Sequence, residues 1–162
     1  MTTPVDTDDL VQGCVKWLLD EDTIHSVLGV FPDTNVPWLY QHSLWSRVEG
    51  TQSVAAVISR AGGWAGANEY NTLRFPRLSL EIYADPLRDT QGNVTQPGET
   101  WRRIEAAWVA FDTLLHRPSA DTVMWGTVRT ITCTRLGEPL IYPVPDGDGS
   151  LRLQQFYAVT QG

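Results

Sequence analysis

Apolar positions fall at helical spacing in two stretches of the chain and in alternating or β-branched runs in four others. Leu10, Cys14, Trp17 and Leu18, widened by Val11 and Val15, form the buried stripe of a short helix. Asp6 or Thr7 is placed to accept from the free N–H groups of its first turn, and Asp8 and Asp9 suit the positive end of its dipole. Gly13 weakens this helix, but the apolar face carries it. The run Asp20-Glu21-Asp22 opposes the dipole at a C-terminus, so the helix ends near Leu19. From Thr23 to Glu49 turns and short extended pieces are expected: Phe31-Pro32-Asp33-Thr34-Asn35 reads as a turn, and Pro37 favours extended backbone at Val36.

Ser53 to Arg60 is a strand with apolar residues on both faces, as expected where a strand is covered on both sides or packed between subunits. It stops at Gly62-Gly63, and a glycine-bearing loop carrying Trp64 and Tyr70 runs on to Asn71. Arg74 to Ala84 alternates more cleanly, with Leu78, Leu80, Ile82 and Ala84 on one face and Arg77, Ser79, Glu81 and Tyr83 on the other. Pro76 places the start of this strand at a sheet edge or a strand end. Between about Asp85 and Gly98 the polar residues predict a long exposed loop.

Pro97 suits a first helical turn, and Trp101, Ile104, Trp108, Phe111 and Leu115 then build one broad apolar face. Glu99 and Arg103 are spaced to pair on the opposite side, and Pro118 stops the helix after His116 and Arg117. Val123 to Arg135 is a further strand, Gly137, Pro139, Pro143 and Pro145 break the pattern, and Ser150 to Thr160 returns as a closing strand. Strands joined by hairpin-like breaks, with helices at separate points, predict one α+β domain over residues 1–162. Its sheet is mostly antiparallel and packed by two main helices.

Charge narrows the partners. Twelve basic residues against 19 acidic ones leave a net charge of −7, and the basic residues are scattered singly. Such a surface disfavours an electrostatic nucleic-acid binder and an anionic membrane alike. All the basic residues but Lys16 are Arg, and seven Trp accompany them. Arg and Trp are the types most often found as protein interface hot spots. The N-terminal stretch, acidic and without a long apolar run, predicts no export by a signal peptide and no membrane span. Cys14 and Cys133 then read as small core residues of a chain assembled in a reducing cytoplasm, where the Asn93-Val94-Thr95 sequon is a chance match.

No catalytic constellation stands out. His25, His42 and His116 have no neighbours at metal-ligand spacing, and neither CxxC nor HxxxH occurs. Asp146-Gly147-Asp148-Gly149-Ser150 opens like a calcium loop, but Leu151 stands where glycine is needed and Tyr157 where glutamate is. There is no Gly-x-Ser-x-Gly, no Walker lysine and no dinucleotide fingerprint around Gly62-Gly63-Trp64-Ala65-Gly66. A carboxylate pair of Glu81 and Asp85 near a strand end is the one acid–base arrangement to weigh, and solvated carboxylates are its simpler reading. Neither a cofactor nor a metal is expected.

The order of elements carries more than any site. The acidic N-terminal helix, the apolar strand ending in Ser59-Arg60-Ala61-Gly62-Gly63, and the strand from Pro76 to Asp85 come first. One long amphipathic helix and a closing Gln155-Phe156-Tyr157-Ala158-Val159-Thr160 follow. This order resembles the tail terminator (tail completion) proteins of long-tailed bacteriophages, from about Asp6 to Thr160. The chain departs from their compactness in the Leu87 to Gly98 loop and the extended Thr23 to Glu49 segment.

The resemblance implies a virion protein of the tail's neck end, assembled in the host cytoplasm. It forms a hexameric ring of copies of itself on the tail tube protein, stops tube growth, and meets the head–tail connector or head-closure protein. Genomic DNA would pass through an acidic ring without sticking, since like charges oppose adsorption. A ring needs two different complementary patches on each subunit, and Arg60, Trp64 and Arg77 are the sequence's interface candidates. Another neck or tail-tube component is the alternative within this class. A small α+β hydrolase or ligand-binding domain is the alternative outside it.

Overall fold

The computed structural model describes residues 9–31, 33–42, 54–65, 74–119, 122–144 and 148–162. Two helices, α1 (Asp9–Leu19) and α2 (Asp22–Val27), precede strands β1 (Leu39–Gln41), β2 (Val54–Ala65) and β3 (Arg74–Ala84). A two-residue pair, β4 (Leu87–Arg88) and β5 (Val94–Thr95), leads into helix α3 (Pro97–Leu115). Strands β6 (Val123–Trp125), β7 (Val128–Pro143) and β8 (Leu151–Gln161) complete the chain. Six strands form one sheet in the order β1-β2-β3-β8-β7-β6, antiparallel at every pair except β1 with β2. The architecture is α+β.

Alternation along β3 and β8 decides which face is buried. Leu78, Leu80, Ile82 and Ala84 lie beside Leu151, Leu153, Gln155 and Tyr157, and all of them are buried under the helices. From α1, Leu10, Val11, Cys14, Val15 and Leu18 enter this core. From α3, Ile104, Ala107, Phe111 and Leu115 do so. Strand β2 is indeed apolar on both sides for a structural reason. Ala56 and Ile58 join the helix-side core, while Ala55 and Val57 pack with Trp38 and Tyr40 on the other face. Helix α1 approaches the β6–β7 turn so closely that a Cβ on Gly13 would stand 2.1 Å from the Trp125 carbonyl oxygen.

Several elements differ from what the sequence predicts. Within the expected turns after Thr23 the chain forms α2, anchored by the single buried residue Ile24. Strand β2 does not stop at the glycines but continues to Ala65. A register shift between Arg60 and Gly63 absorbs the irregularity, with Gly62 at φ +94°, a conformation that other residues rarely adopt. Pro76 does mark a strand end, but β3 lies inside the sheet rather than at its edge. The expected loop from 85 to 98 is instead the β4–β5 hairpin. The Asp89 carboxylate accepts the N–H groups of Gln91 and Asn93 across its turn, and Arg88 reaches the Gly92 and Asp148 carbonyls.

The expected Val123–Arg135 strand is a hairpin, turning at Gly126 and Thr127, and β7 then runs through Gly137 and Pro139 to Pro143. Two facts make that possible. A bulge between Leu136 and Leu140 is filled by the Gln155 amide, which donates to the Leu136 and Gly137 carbonyls. Val144 donates its N–H to the Ser150 carbonyl, so alternation turns position 143 away from β8, where proline's missing N–H costs nothing.

On α3 the buried line is Thr100, Ile104, Ala107, Phe111 and Leu115. Trp101, expected on the apolar face, is 40% exposed. Glu99 pairs with Arg102 at 3.0 Å and also acts electrostatically on Arg103, whose guanidinium donates to the Asp85 carbonyl. The proposed cap at Asp6 or Thr7, the loop from Gly66 to Asn71, and Asp146 and Gly147 of the calcium-like stretch lie outside the described residues.

Candidate interaction surfaces

The strand register separates the candidate residues. Arg60 stands opposite Leu78, so it belongs to the helix-bearing side of the sheet, at an exposed position where β2 approaches its bulge. Arg77 stands opposite Ala158, on the reverse side, and is exposed. Trp64 pairs in register with Phe75 beyond the bulge. Arg60 and Arg77 therefore belong to two surfaces, not one patch.

The reverse side of β3, β8, β7 and β6 is covered by no described helix, and the pleat brings a mixed apolar and basic set onto it. Met124 and Arg129 lie opposite one another, as do Leu136 and Phe156, and Leu140 and Gln154. Leu140 is 62% exposed and Met124 52%. At the centre Arg152 donates to Glu81, with its guanidinium 5.4 Å from the Tyr83 ring centroid and 5.8 Å from that of Tyr142. Tyr83 donates to the other Glu81 oxygen at 2.7 Å. Burial, reinforced by that hydrogen bond, pushes the Tyr83 hydroxyl up to about 12. Glu81 is thus committed to Arg152 and Tyr83, while the Asp85 carboxylate faces the Ser150 hydroxyl at 3.5 Å. Each of the two carboxylates is thus engaged by partners of its own.

The opposite side carries a second surface. A groove of about 400 Å³ runs between α2 and α3, floored by Val27, Ala106, Val109, Ala110 and Leu114. Val109 is 53% exposed. Glu21 lines one end, with Asp20 and Asp22 beside it in sequence, and Glu105 is exposed on the adjoining turn of α3. The Lys and Arg residues of these helices are Lys16 on α1 and Arg102 and Arg103 on α3, and none of them lines the groove.

The remaining polar clusters hold the fold together. Tyr157 and Arg135 both donate to Asp112 beneath α3. Asp148 accepts the N–H and hydroxyl of Ser150. Among the described residues no group of His, Cys, Asp and Glu is arranged to hold a metal ion, and no helix is long and apolar enough to cross a membrane. Cys14 and Cys133 are buried and unpaired in the core, and burial raises both thiols. The residues that sequence reasoning passed over are Leu136, Leu140 and Val109. The first two fall in the stretch taken as a proline–glycine break, and Val109 is one helical position off the stripe that drew attention to α3.

No protein-family profile matches this sequence, and no curated protein is similar to it in sequence. In three dimensions the chain is similar to a chain solved in the "Virion of native gene transfer agent (GTA) particle". The TM-score is 0.57 at 14% identity, over 94% of this chain and 95% of that one. At that identity the likeness establishes a shared fold across nearly the full length of both chains.

Proposed function

We propose that this chain is a structural virion subunit, and within that class a phage tail terminator. One α+β domain assembles as a hexameric ring on the finished tail tube. There it stops polymerisation and offers its outer surface to the head–tail connector. The observation that carries the reading is the end-to-end fold likeness to a subunit of a gene transfer agent virion. The order of elements in the sequence supports the narrower assignment.

Two features of the chain are consistent with assembly rather than catalysis. Exposed apolar side chains occur both on the helix side, at Val109, and on the reverse sheet face, at Met124, Leu136 and Leu140, and a head-to-tail ring needs two different surfaces. The one carboxylate pair weighed as catalytic is spent on an ion pair, a tyrosine and a serine. In this reading Arg60 and Arg77 serve two different contacts, the net charge of −7 keeps passing DNA from adsorbing, and the protein resides at the neck of the virion.

Incubating the purified protein with headless tails and, separately, with filled heads tests the assignment. Retention on one end of headless tails, seen by negative stain, is the expected result. Retention on filled heads alone assigns a head-closure role, and a monomer that binds neither particle overturns the structural reading.

A further inference from the structure

We infer that His116 is a proton-operated latch: its neutral ring holds the strap that follows α3 across the outer edge of β7, and protonation of that ring lets the strap open. The latch goes beyond the tail reading and does not depend on it.

The sequence sets the strap up. Helix α3 ends at Leu115, His116 is already extended with ψ 94°, and Pro118 favours the same geometry at Arg117. Arg117 donates its N–H to the Cys133 carbonyl at 2.6 Å and accepts the Cys133 N–H at 3.1 Å. Two positions along β7, where alternation again turns the backbone outward, the Arg135 N–H donates to His116 Nδ1 at 3.1 Å. A ring nitrogen thus supplies the acceptor that a neighbouring strand's carbonyl would. To either side of the strap the edge is guarded differently: β6 pairs as far as Thr130, and Pro139 and Pro143 have no N–H to offer.

A backbone N–H can only donate, so Nδ1 keeps its lone pair and the ring's proton sits on Nε2. An imidazolium carries a proton on both nitrogens and cannot accept. Protonation therefore sets two donors against each other and removes the Arg135 bond. The closed strap needs the neutral ring, so its stability is full above the range where imidazoles ordinarily titrate, near about pH 6.5, and falls as pH drops through it. His25 makes the contrast, because its Nε2 lies 2.6 Å from the Leu19 carbonyl, a bond that a neutral ring and an imidazolium can both donate.

The groups around His116 do not take over this role. From α3 comes the Asp112 carboxylate, already engaged by Tyr157 and Arg135, and from β7 the Arg135 guanidinium, which lies over Trp108. Arg117 follows in sequence. The carboxylate favours a positive ring and the two guanidiniums oppose it. Cys133 on β7 and Tyr157 on β8 stay neutral in this range, because burial raises both. Arg135 remains tied to Asp112 when the latch is off, so opening stays local and bares the Cys133 and Arg135 N–H groups on a strand edge.

Nitrogen NMR of the native chain reads the tautomer, and amide exchange at about pH 8 and about pH 5, corrected for the intrinsic effect of pH, reads the strap. At the higher pH the His116 proton should sit on Nε2. Protection of the Arg135 and Cys133 amides should fall about fivefold at the lower pH, the loss of roughly one hydrogen bond, with Leu80 and Ile82 in β3 unchanged. His116→Asn offers an amide oxygen where Nδ1 stands and does not titrate, so it should keep the protection at both pH values, and His116→Ala should lack it at both. A proton on Nδ1 at the higher pH, native protection that ignores pH, a fall shared equally by β3, the same fall in His116→Asn, or full protection in His116→Ala overturns the latch. Each readout is taken on the free chain, so the latch and the terminator reading stand or fall separately.

Discussion

The Tyr157 hydroxyl donates to Asp112 Oδ1 at 2.8 Å, joining the buried face of the closing strand to the last turn of α3. Arg135 Nη1 meets the other oxygen at 2.7 Å and lies over the Trp108 ring at 5.6 Å, so one carboxylate fastens the helix to two neighbouring strands. Tyr157→Phe keeps the ring's packing and loses one hydrogen bond, and should cost about 1–2 kcal/mol. Asp112→Ala strands a partly buried guanidinium as well and should cost more, about 2–3 kcal/mol. Urea unfolding checks this: both midpoints should fall at an unchanged slope, with Asp112→Ala the lower.

Gly13 sits in the interior of α1, where alanine ordinarily adds about 1 kcal/mol of helix stability. Here the added methyl would press on the Trp125 carbonyl, a backbone atom held by the β6–β7 hairpin, so the helix must move off the sheet. Gly13→Ala should therefore destabilise the fold by about 2 kcal/mol net, read as a lower thermal midpoint. A midpoint that rises would mean that α1 does not approach this hairpin.

Two tyrosines resist ionisation. Burial raises Tyr83 to about 12, with help from its bond to Glu81, and burial with the Asp112 carboxylate raises Tyr157 further. Because both folded-state values lie above the unfolded value of about 10, their contribution is full below that pH and is lost as pH rises through the folded value. In a spectrophotometric titration, Tyr83→Phe should leave the tyrosinate absorbance gained between about pH 9 and 11 nearly as in the native chain, and remove amplitude only above it. An equal loss in the lower window would contradict the burial of Tyr83.

Gln155 donates to the carbonyls of Leu136, Gly137 and Phe156, and so closes the bulge of β7 from the core side. Gln155→Leu leaves those acceptors without their donor and should cost about 1–2 kcal/mol. The loss should be local, with faster amide exchange from Thr134 to Ile141 than in β3. Exchange that accelerates evenly through the sheet would indicate that the amide supports the whole core instead.

The elements legible in the sequence were those whose periodicity reports burial. Leu78 to Ala84 and Leu151 to Val159 alternate because one face meets the helices, and α1 ends at Leu19 as its acidic flank requires. Helix α2 left no such trace, since six residues with Ile24 alone buried make no stripe. The continuation of β7 was hidden because proline reads as a breaker unless the direction of its missing N–H is known, and only the pairing with β8 supplies that. The surfaces were least legible. Exposure of Leu140, and of Trp101 where burial was expected, is set by which elements cover which face, a tertiary outcome that residue spacing does not encode.

The central claim is that this protein ends a tail tube, and tube length measures it most directly. When purified tail-tube subunits polymerise in its presence, the account predicts tubes arrested at short lengths, each with a ring on the growing end. Tubes that grow as long as they do without the protein, with bare ends, would contradict it.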